Sequence, residues 1–128
     1  MKYLIDTHVF LWMASEPGNL SVTAKQIIQQ ANNELYVSIC SLWEMQIKHQ
    51  LGKLELDLPL SELWQKQRDI SGLQLLQVEE AHVWALGKLP HHHKDPFDRL
   101  LIAQAACENI AFMSSDDIMA QYDIETVW

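Results

Sequence analysis

Short apolar segments alternate with helical segments along the chain, and this alternation constrains the fold more than any other feature of the sequence. The apolar segments lack the apolar–polar alternation of half-exposed strands, which is typical of strands covered on both faces. The predicted strands are Tyr3–Ile5, Leu35–Ile39, Leu73–Val78, Ile110–Met113 and Glu125–Trp128. Strands that alternate with helices favour a parallel sheet. We therefore predict a three-layer α/β/α sandwich with a central parallel sheet of four to five strands.

Capping residues mark the helices between these strands. Ser21 is a suitable N-cap, and Gly52 suits a left-handed position after a helix end. The predicted helices cover residues 7–14, 21–32, 41–51, 61–70, 79–89, 96–108 and 116–121. The sequence contains no repeat or linker, so residues 1–128 are predicted to form a single domain.

Composition excludes several classes of protein. Hydrophobic residues make up 48% and charged residues 20%, which fits an ordinary globular core and argues against disorder. The chain has no apolar run long enough for a membrane span, and Asp6 and His8 interrupt any signal-peptide core. Cys40 and Cys107 are far apart and do not form a C-x-x-C pair. We therefore expect a reduced, cytoplasmic protein that does not interact with membranes.

The net charge limits how the protein could interact with nucleic acid. There are 9 basic and 17 acidic residues, so the formal charge is -8. A passive nucleic-acid coat protein would be basic. An enzyme that holds phosphates through metal ions is compatible with this charge, because its carboxylates are ligands of the metal.

Acidic residues follow several of the predicted strands. Asp6 directly follows the first strand, Glu44 lies near the start of the helix after the second, and Asp116 and Asp117 follow the fourth. Asp98 lies in the first turn of the helix that begins at residue 96. Ligands of open α/β sheets bind beyond the carboxyl ends of the strands. We therefore expect these carboxylates to face one edge of the sheet.

Each acid also has a structural interpretation. Ser41 and Glu44 have the spacing of a capping box, and Asp95 followed by Pro96 is typical of a helix N-terminus. Asp98 would be favoured there by the helix dipole. Capping does not account for several acids at one edge, because clustered like charges repel unless they share a cation. Mg²⁺ prefers carboxylate oxygens and often binds together with substrate phosphates.

Several motifs in the sequence resemble those of a known family. The motifs are LIDTHVFLW at residues 4–12, SLWE at 41–44, IK at 47–48, LGKL at 51–54, HKDPFDRLLIAQA at 93–105 and SD at 115–116. The chain resembles the PIN-domain family over nearly its whole length. Within that family it is similar to the VapC-type toxins of bacterial toxin–antitoxin pairs.

The resemblance implies a metal-dependent endoribonuclease. It places the family's metal-binding and catalytic acids at Asp6, Glu44, Asp98 and Asp116. These acids would hold one or two Mg²⁺ or Mn²⁺ ions. A metal-activated water would then attack the RNA phosphorus and leave a 5′-phosphate and a 3′-hydroxyl. Asp117 is adjacent, and the sequence does not decide whether Asp116 or Asp117 is the fourth acid.

The resemblance also implies supporting residues and protein partners. Thr7 matches a hydroxyl residue beside the first aspartate, and Asp95 and Asp117 are expected to support the metal ligands from outside. The expected partners are an RNA substrate, a cognate antitoxin and a second copy of the chain. In the family, the antitoxin often presents a basic side chain to the acids.

The basic residues near these motifs are weaker candidates. Lys48, Lys53, Lys94 and Arg99 could contact RNA phosphates, although each could equally be a solvated charge or a partner of an acid. Three consecutive histidines, 91–93, cannot readily face one zinc ion. We therefore expect these histidines to form a solvated loop beside the cleft.

Two other functions remain as alternatives. The same fold could bind RNA or a protein with little turnover. A different phosphotransfer enzyme is less compatible with the sequence. An aspartyl-phosphate phosphatase requires a second aspartate two residues after the first, where this chain has His8. A receiver domain requires adjacent acids before its first helix, and this chain has no such pair.

Overall fold

The centre of the molecule is a parallel sheet of five strands. The computed structural model describes residues 1–128. The strands are β1 (Lys2–Ile5), β2 (Glu34–Ser38), β3 (Gln74–Leu76), β4 (Ala111–Met113) and β5 (Thr126–Val127). Their order in the sheet is β3-β2-β1-β4-β5, and all four pairings are parallel. The predicted parallel sheet is therefore confirmed.

Six α-helices connect the strands. They are α1 (Thr7–Ser15), α2 (Val22–Gln29), α3 (Ile39–Gln50), α4 (Leu60–Ser71), α5 (Glu80–Ala85) and α6 (Pro96–Glu108). Single 3-10 turns cover Pro17–Asn19, Leu86–Lys88 and Asp117–Gln121. None of the helices is long and apolar enough to cross a lipid bilayer.

The helices form a layer on each face of the sheet, which gives the molecule two cores. Tyr3 and Ile5 of β1 belong to the core that α1, α2 and α4 cover. Leu4, between them, points to the other face and packs with Leu101 and Ile102 of α6. Successive side chains of a strand point to opposite faces, so each strand supplies both cores. This arrangement is the three-layer α/β/α sandwich that the sequence predicts.

The strand order reverses between β1 and β4, and this reversal positions the candidate site. The chain moves outward from β1 to β2 and β3, then returns to place β4 on the other side of β1. Ile5 and Met113 are register partners at the carboxyl ends of β1 and β4, and the Asp6 amide donates to the Met113 carbonyl. The residues after these strands therefore lie side by side at the switch point, where ligands of such sheets bind.

Several element boundaries differ from the sequence prediction. Helix α3 begins at Ile39, because the Ser38 hydroxyl accepts a hydrogen bond from the Cys40 amide and caps the helix. The predicted capping box of Ser41 and Glu44 is therefore wrong, since both residues lie inside the helix. Gly52 has a φ of +73°, in agreement with its predicted left-handed position. The predicted helix 79–89 is shorter, because a 3-10 turn follows α5.

Candidate active site

Asp6 is held at the switch point by its neighbours on both sides. It is the N-cap of α1, and its Oδ1 accepts a hydrogen bond of 2.8 Å from the Thr7 amide. Its Oδ2 accepts a 2.7 Å hydrogen bond from the hydroxyl of Ser114, which directly follows β4. Asp6 is only 5% exposed. Burial raises the pKa of Asp6 and outweighs the opposing effect of these two donors.

Glu44 reaches the same site from the second turn of α3. The Thr7 hydroxyl lies 2.8 Å from Glu44 Oε1 and 2.8 Å from the Ser41 hydroxyl. A hydroxyl group carries one proton, so Thr7 donates to the carboxylate and accepts from Ser41. The other oxygen, Oε2, pairs with the ammonium group of Lys48 one turn later. These contacts fix the carboxylate, which is 3% exposed, at the start of α1.

Asp98 comes from the first turn of α6 and is the least neutralised of these acids. The preceding Asp95 is the N-cap of α6, and its Oδ1 accepts hydrogen bonds from the amides of Phe97 and Asp98. Burial and the charges of Asp95, Asp6 and Glu44 together raise the pKa of Asp98 to about 7. The three acids Asp6, Glu44 and Asp98, which we call the acid cluster, therefore face one another closely enough for their charges to repel.

Asp116 lies outside the acid cluster, and both of its carboxylate oxygens have partners in the protein. It caps the last 3-10 turn, where its Oδ1 accepts from the Ile118 amide, and its Oδ2 lies 2.8 Å from Nε2 of His93. Burial raises the pKa of Asp116, but the His93 hydrogen bond, the Ile118 amide and nearby imidazole charge outweigh it and lower the pKa. Asp117 is exposed. The structure thus places Asp116 beside the cluster, with one oxygen committed to His93.

The predicted basic residues divide into two groups. Lys48 and Lys53 line a cavity of about 310 Å³ that also includes Thr7, His8 and Glu44. Lys94 and Arg99 line another cavity, together with the three consecutive histidines. Lys48 pairs with an acid, whereas the guanidinium of Arg99 donates to the carbonyls of Leu89 and Pro90.

His93 and Ser114 are site residues that the sequence analysis missed. The expectation of a solvated loop is wrong for His93, because its side chain is only 8% exposed and bridges Asp116 and Tyr122. His91 and His92 are exposed. The hydroxyl of Ser114 donates to Asp6, which is 108 residues away in sequence. Only its position after β4, next to β1, could have indicated this contact.

A second group of ligand-type side chains lies outside the acid cluster. One ligand atom from each of Glu79, His82 and Glu108 lies within 4.8 Å of the other two. Nδ1 of His82 accepts the Glu79 amide at 2.9 Å, and Nε2 lies 2.8 Å from Glu108 Oε1. With Nδ1 as an acceptor, Nε2 carries the proton, so neither nitrogen has a lone pair free for a metal ion. We call these three residues the His82 network and interpret it as structural.

Carboxylates from separate segments of the chain thus meet at the switch point of a three-layer parallel sandwich. A family model for the PIN domain matches residues 3–125. The chain therefore belongs to the PIN-domain family, and the family predicted from the sequence is confirmed. It is also 34% identical over 104 residues to Ribonuclease VapC22 of Mycobacterium tuberculosis, an alignment that covers 80% of this chain and 77% of that protein.

Solved structures share the fold over almost the whole chain. VapBC2 from Rickettsia felis, bound to a DNA fragment from its promoter, matches with a TM-score of 0.73 and 16% identity. This match covers 99% of this chain and 98% of the other. VapBC-1 from nontypeable Haemophilus influenzae matches with a TM-score of 0.67 and 18% identity, over 99% and 97% of the two chains. At these identities the matches define the fold.

Proposed function

We propose that the protein is a divalent-metal-dependent endoribonuclease and the toxin of a toxin–antitoxin pair. The observation that carries this proposal is the convergence of Asp6, Glu44 and Asp98, from three separate helices, at the switch point of the sheet. The relative from M. tuberculosis is a ribonuclease by name, and its similarity extends over four-fifths of this chain. An RNA phosphodiester is therefore the substrate that fits both the site and the relative.

The acid cluster fits a divalent cation. Asp98 is half-buried and its carboxylate accepts no protein hydrogen bond, and burial together with the charges of the neighbouring acids raises its pKa. Like charges held together in this way destabilise the protein unless a cation neutralises them. Hard oxygen ligands of this kind suit Mg²⁺ or Mn²⁺. A divalent cation supplies positive charge that lowers the pKa of a water molecule and stabilises charge on the phosphate.

The surrounding residues have distinct roles in this proposal. Asp6, Glu44 and Asp98 hold the cation, and Asp116 completes the set from the rim. Thr7 fixes the Glu44 carboxylate through its hydroxyl. Asp95 orders the first turn of α6 and thereby orients Asp98. Asp117, which is exposed, contributes only general negative charge at the rim.

A cognate antitoxin is the partner that fits the surface. An apolar groove of about 550 Å³ lies between α3 and α4, lined in part by Leu42, Trp43, Leu60 and Trp64. Trp43 is 60% exposed there. Exposed apolar surface of this kind is typical of protein interaction sites. The negative charge of the acid cluster would attract the basic side chain that the antitoxin often presents in this family. Homodimerisation remains a prediction from the family resemblance, and sedimentation analysis would measure it.

The decisive experiment is a cleavage assay on total cellular RNA with antitoxin-free protein. We expect discrete fragments with 5′-phosphate ends in Mg²⁺ or Mn²⁺ and none in EDTA. The Asp98→Asn variant should not cleave, because it keeps the shape of the side chain but removes the charge. Asp57→Asn is the matched control, since Asp57 is exposed and outside the site, and it should cleave as the wild type does.

Each outcome of the assay has a defined meaning. Cleavage by Asp98→Asn at the wild-type rate would remove Asp98 from the catalytic set. A folded wild-type protein that binds metal and RNA without cleaving would favour the alternative of an RNA-binding module. A protein that neither cleaves RNA nor binds metal would contradict the assignment of the acid cluster itself.

A further inference from the structure

The loop between α5 and α6 forms a basic cavity in an otherwise acidic protein. The cavity has a volume of about 470 Å³, and only polar, nitrogen-bearing side chains line it. We call it the histidine pocket, and its residues are His91, His92, His93, Lys94 and Arg99. The whole chain has a formal charge of -8, so a cavity with two fixed positive charges and no acidic lining residue is a local reversal of charge. Such a reversal favours an anionic ligand.

The pocket is built by long-range contacts, unlike a freely solvated loop. The Tyr122 hydroxyl accepts a 3.2 Å hydrogen bond from the His92 amide and lies 2.9 Å from His93 Nδ1. The ring of Tyr122, which is buried, stacks on His93 and meets the edge of His92. Arg99 holds the other end of the loop through the Leu89 and Pro90 carbonyls. A binding loop fixed in advance loses less conformational entropy when a ligand binds.

One lining residue positions the loop, and two others have N–H groups available to bind a ligand. Both nitrogens of His93 are used, one by Asp116 and one by Tyr122, so His93 is a positioning residue. Lys94 is exposed and has three N–H donors. Arg99 has five N–H donors and commits two of its nitrogens to carbonyls, which leaves donors available to the pocket. Donors of this number and charge match the oxygens of a phosphate group.

The pocket adjoins the acid cluster through two residues. His93 lies close enough to Asp98 for its charge to lower the pKa of that acid, and it also binds Asp116. Lys94 precedes the N-cap of the helix that carries Asp98. A phosphate in the pocket would therefore lie beside the reacting phosphate of an RNA strand.

We propose that the histidine pocket binds a backbone phosphate of the RNA substrate next to the scissile one. Lys94 and Arg99 are the charged donors, and the Asp116–His93–Tyr122 chain holds the loop in place. This inference rests on the proposed ribonuclease function. It also gives Asp116 a role that does not require the cation, because Asp116 orients His93 from the rim of the site.

The test measures RNA binding separately from cleavage. Fluorescence anisotropy would follow a short fluorescein-labelled single-stranded RNA of mixed sequence, in Mg²⁺, with Asp98→Asn as the background so that the RNA stays intact. Adding Lys94→Gln should weaken binding roughly three- to tenfold and reduce the slope of log Kd against log salt by about 0.7, the value for one phosphate contact with a single strand. Lys88→Gln is the matched control, because Lys88 is exposed nearby but outside the pocket.

A second variant separates positioning from charge. Tyr122→Phe keeps the buried ring but removes the hydroxyl, so it should raise the Kd for RNA without changing the salt slope. Equal effects of Lys94→Gln and Lys88→Gln, or unchanged binding in both Lys94→Gln and Tyr122→Phe, would overturn the pocket. If either of those binding results is found and the wild-type protein still cleaves RNA, only the pocket assignment fails. If the wild type neither binds nor cleaves RNA, the proposed function and the pocket both fail.

Discussion

The acid cluster and the His82 network both hold acidic side chains close to other titratable groups, but they differ in how those groups are neutralised. In the His82 network, both imidazole nitrogens have hydrogen-bond partners: the Glu79 amide for Nδ1 and the Glu108 carboxylate for Nε2. In the acid cluster, burial and the charges of the surrounding acids raise the pKa of Asp98. Ligand spacing alone would select the His82 network as a metal site. We therefore take unmet charge, and not closeness of the ligand atoms, as the reason to propose the acid cluster as the cation site.

The physical reason is the different effect of each group on the stability of the folded protein. A buried histidine that donates to one carboxylate and accepts one amide is close to its best arrangement, so it stabilises the protein without a ligand. Carboxylates gathered without a cation destabilise it. A protein keeps such an arrangement where a ligand offsets the cost. The four predictions below test this contrast, from the largest expected effect to the smallest.

Loss of a single charge in the acid cluster should have the largest effect. Asp6→Asn should reduce RNA cleavage by at least about a hundredfold, because a neutral amide is a poor cation ligand. Asparagine is also a good N-cap, so the fold should survive. Initial rates in saturating Mg²⁺, with circular dichroism as the folding control, would measure both effects. Glu108→Gln makes the same kind of change in the His82 network and should retain cleavage; the opposite pattern would exchange the roles of the two regions.

Cation binding should stabilise the protein through the acid cluster alone. At a concentration one hundred times its Kd, Mg²⁺ or Mn²⁺ should add about 2.7 kcal/mol to the free energy of unfolding. Thermal unfolding with and without metal would measure the shift. Asp98→Asn should lose most of it, and Glu108→Gln should keep it. A shift that disappears only in Glu108→Gln would move the cation to the His82 network.

Disruption of the His82 network should reduce stability without affecting catalysis. His82→Leu puts an apolar side chain of similar size in place of the imidazole and leaves the Glu79 amide without its acceptor. We expect a loss of about 2 kcal/mol in the free energy of unfolding, measured by urea denaturation. The metal dependence of cleavage should not change. A variant with wild-type stability and an altered metal requirement would show that the network is part of the site.

The sequence predicted the parts of this contrast that depend on local pattern. The strand before Asp6 and the Asp95–Pro96 helix start have strong local signals, and both are present in the structure. Contacts between distant segments were not predictable in this way. Thr7 and Glu44 are 37 residues apart, and His93 and Asp116 are 23 apart. Spacing in one sequence cannot show which helix faces which, so the Ser41–Glu44 spacing predicts a helix cap and not a contact with Thr7.

The metal-free protein should also lose stability as the pH rises. The pKa of Asp98 is about 7 in the folded state, above its ordinary value of 3.8. Between these two values the folded protein keeps a proton that the unfolded chain has released, so the free energy of unfolding falls as the pH rises through this window. The raised pKa of Asp6 acts in the same direction. Urea denaturation in EDTA should therefore give a lower stability at pH 8 than at pH 5.

Asp98→Asn isolates this contribution, because the six histidines also titrate in the same range. An asparagine at this position binds no proton, so the fall in stability between pH 5 and pH 8 should be smaller in the variant than in the wild type. At pH 8 the metal-free variant should be the more stable of the two, although it does not cleave RNA. If the free energy of unfolding fell equally with pH in the two proteins, the pKa of Asp98 would not be raised in the folded state. In that case the acid cluster would be as well neutralised as the His82 network, and the contrast between them would fail.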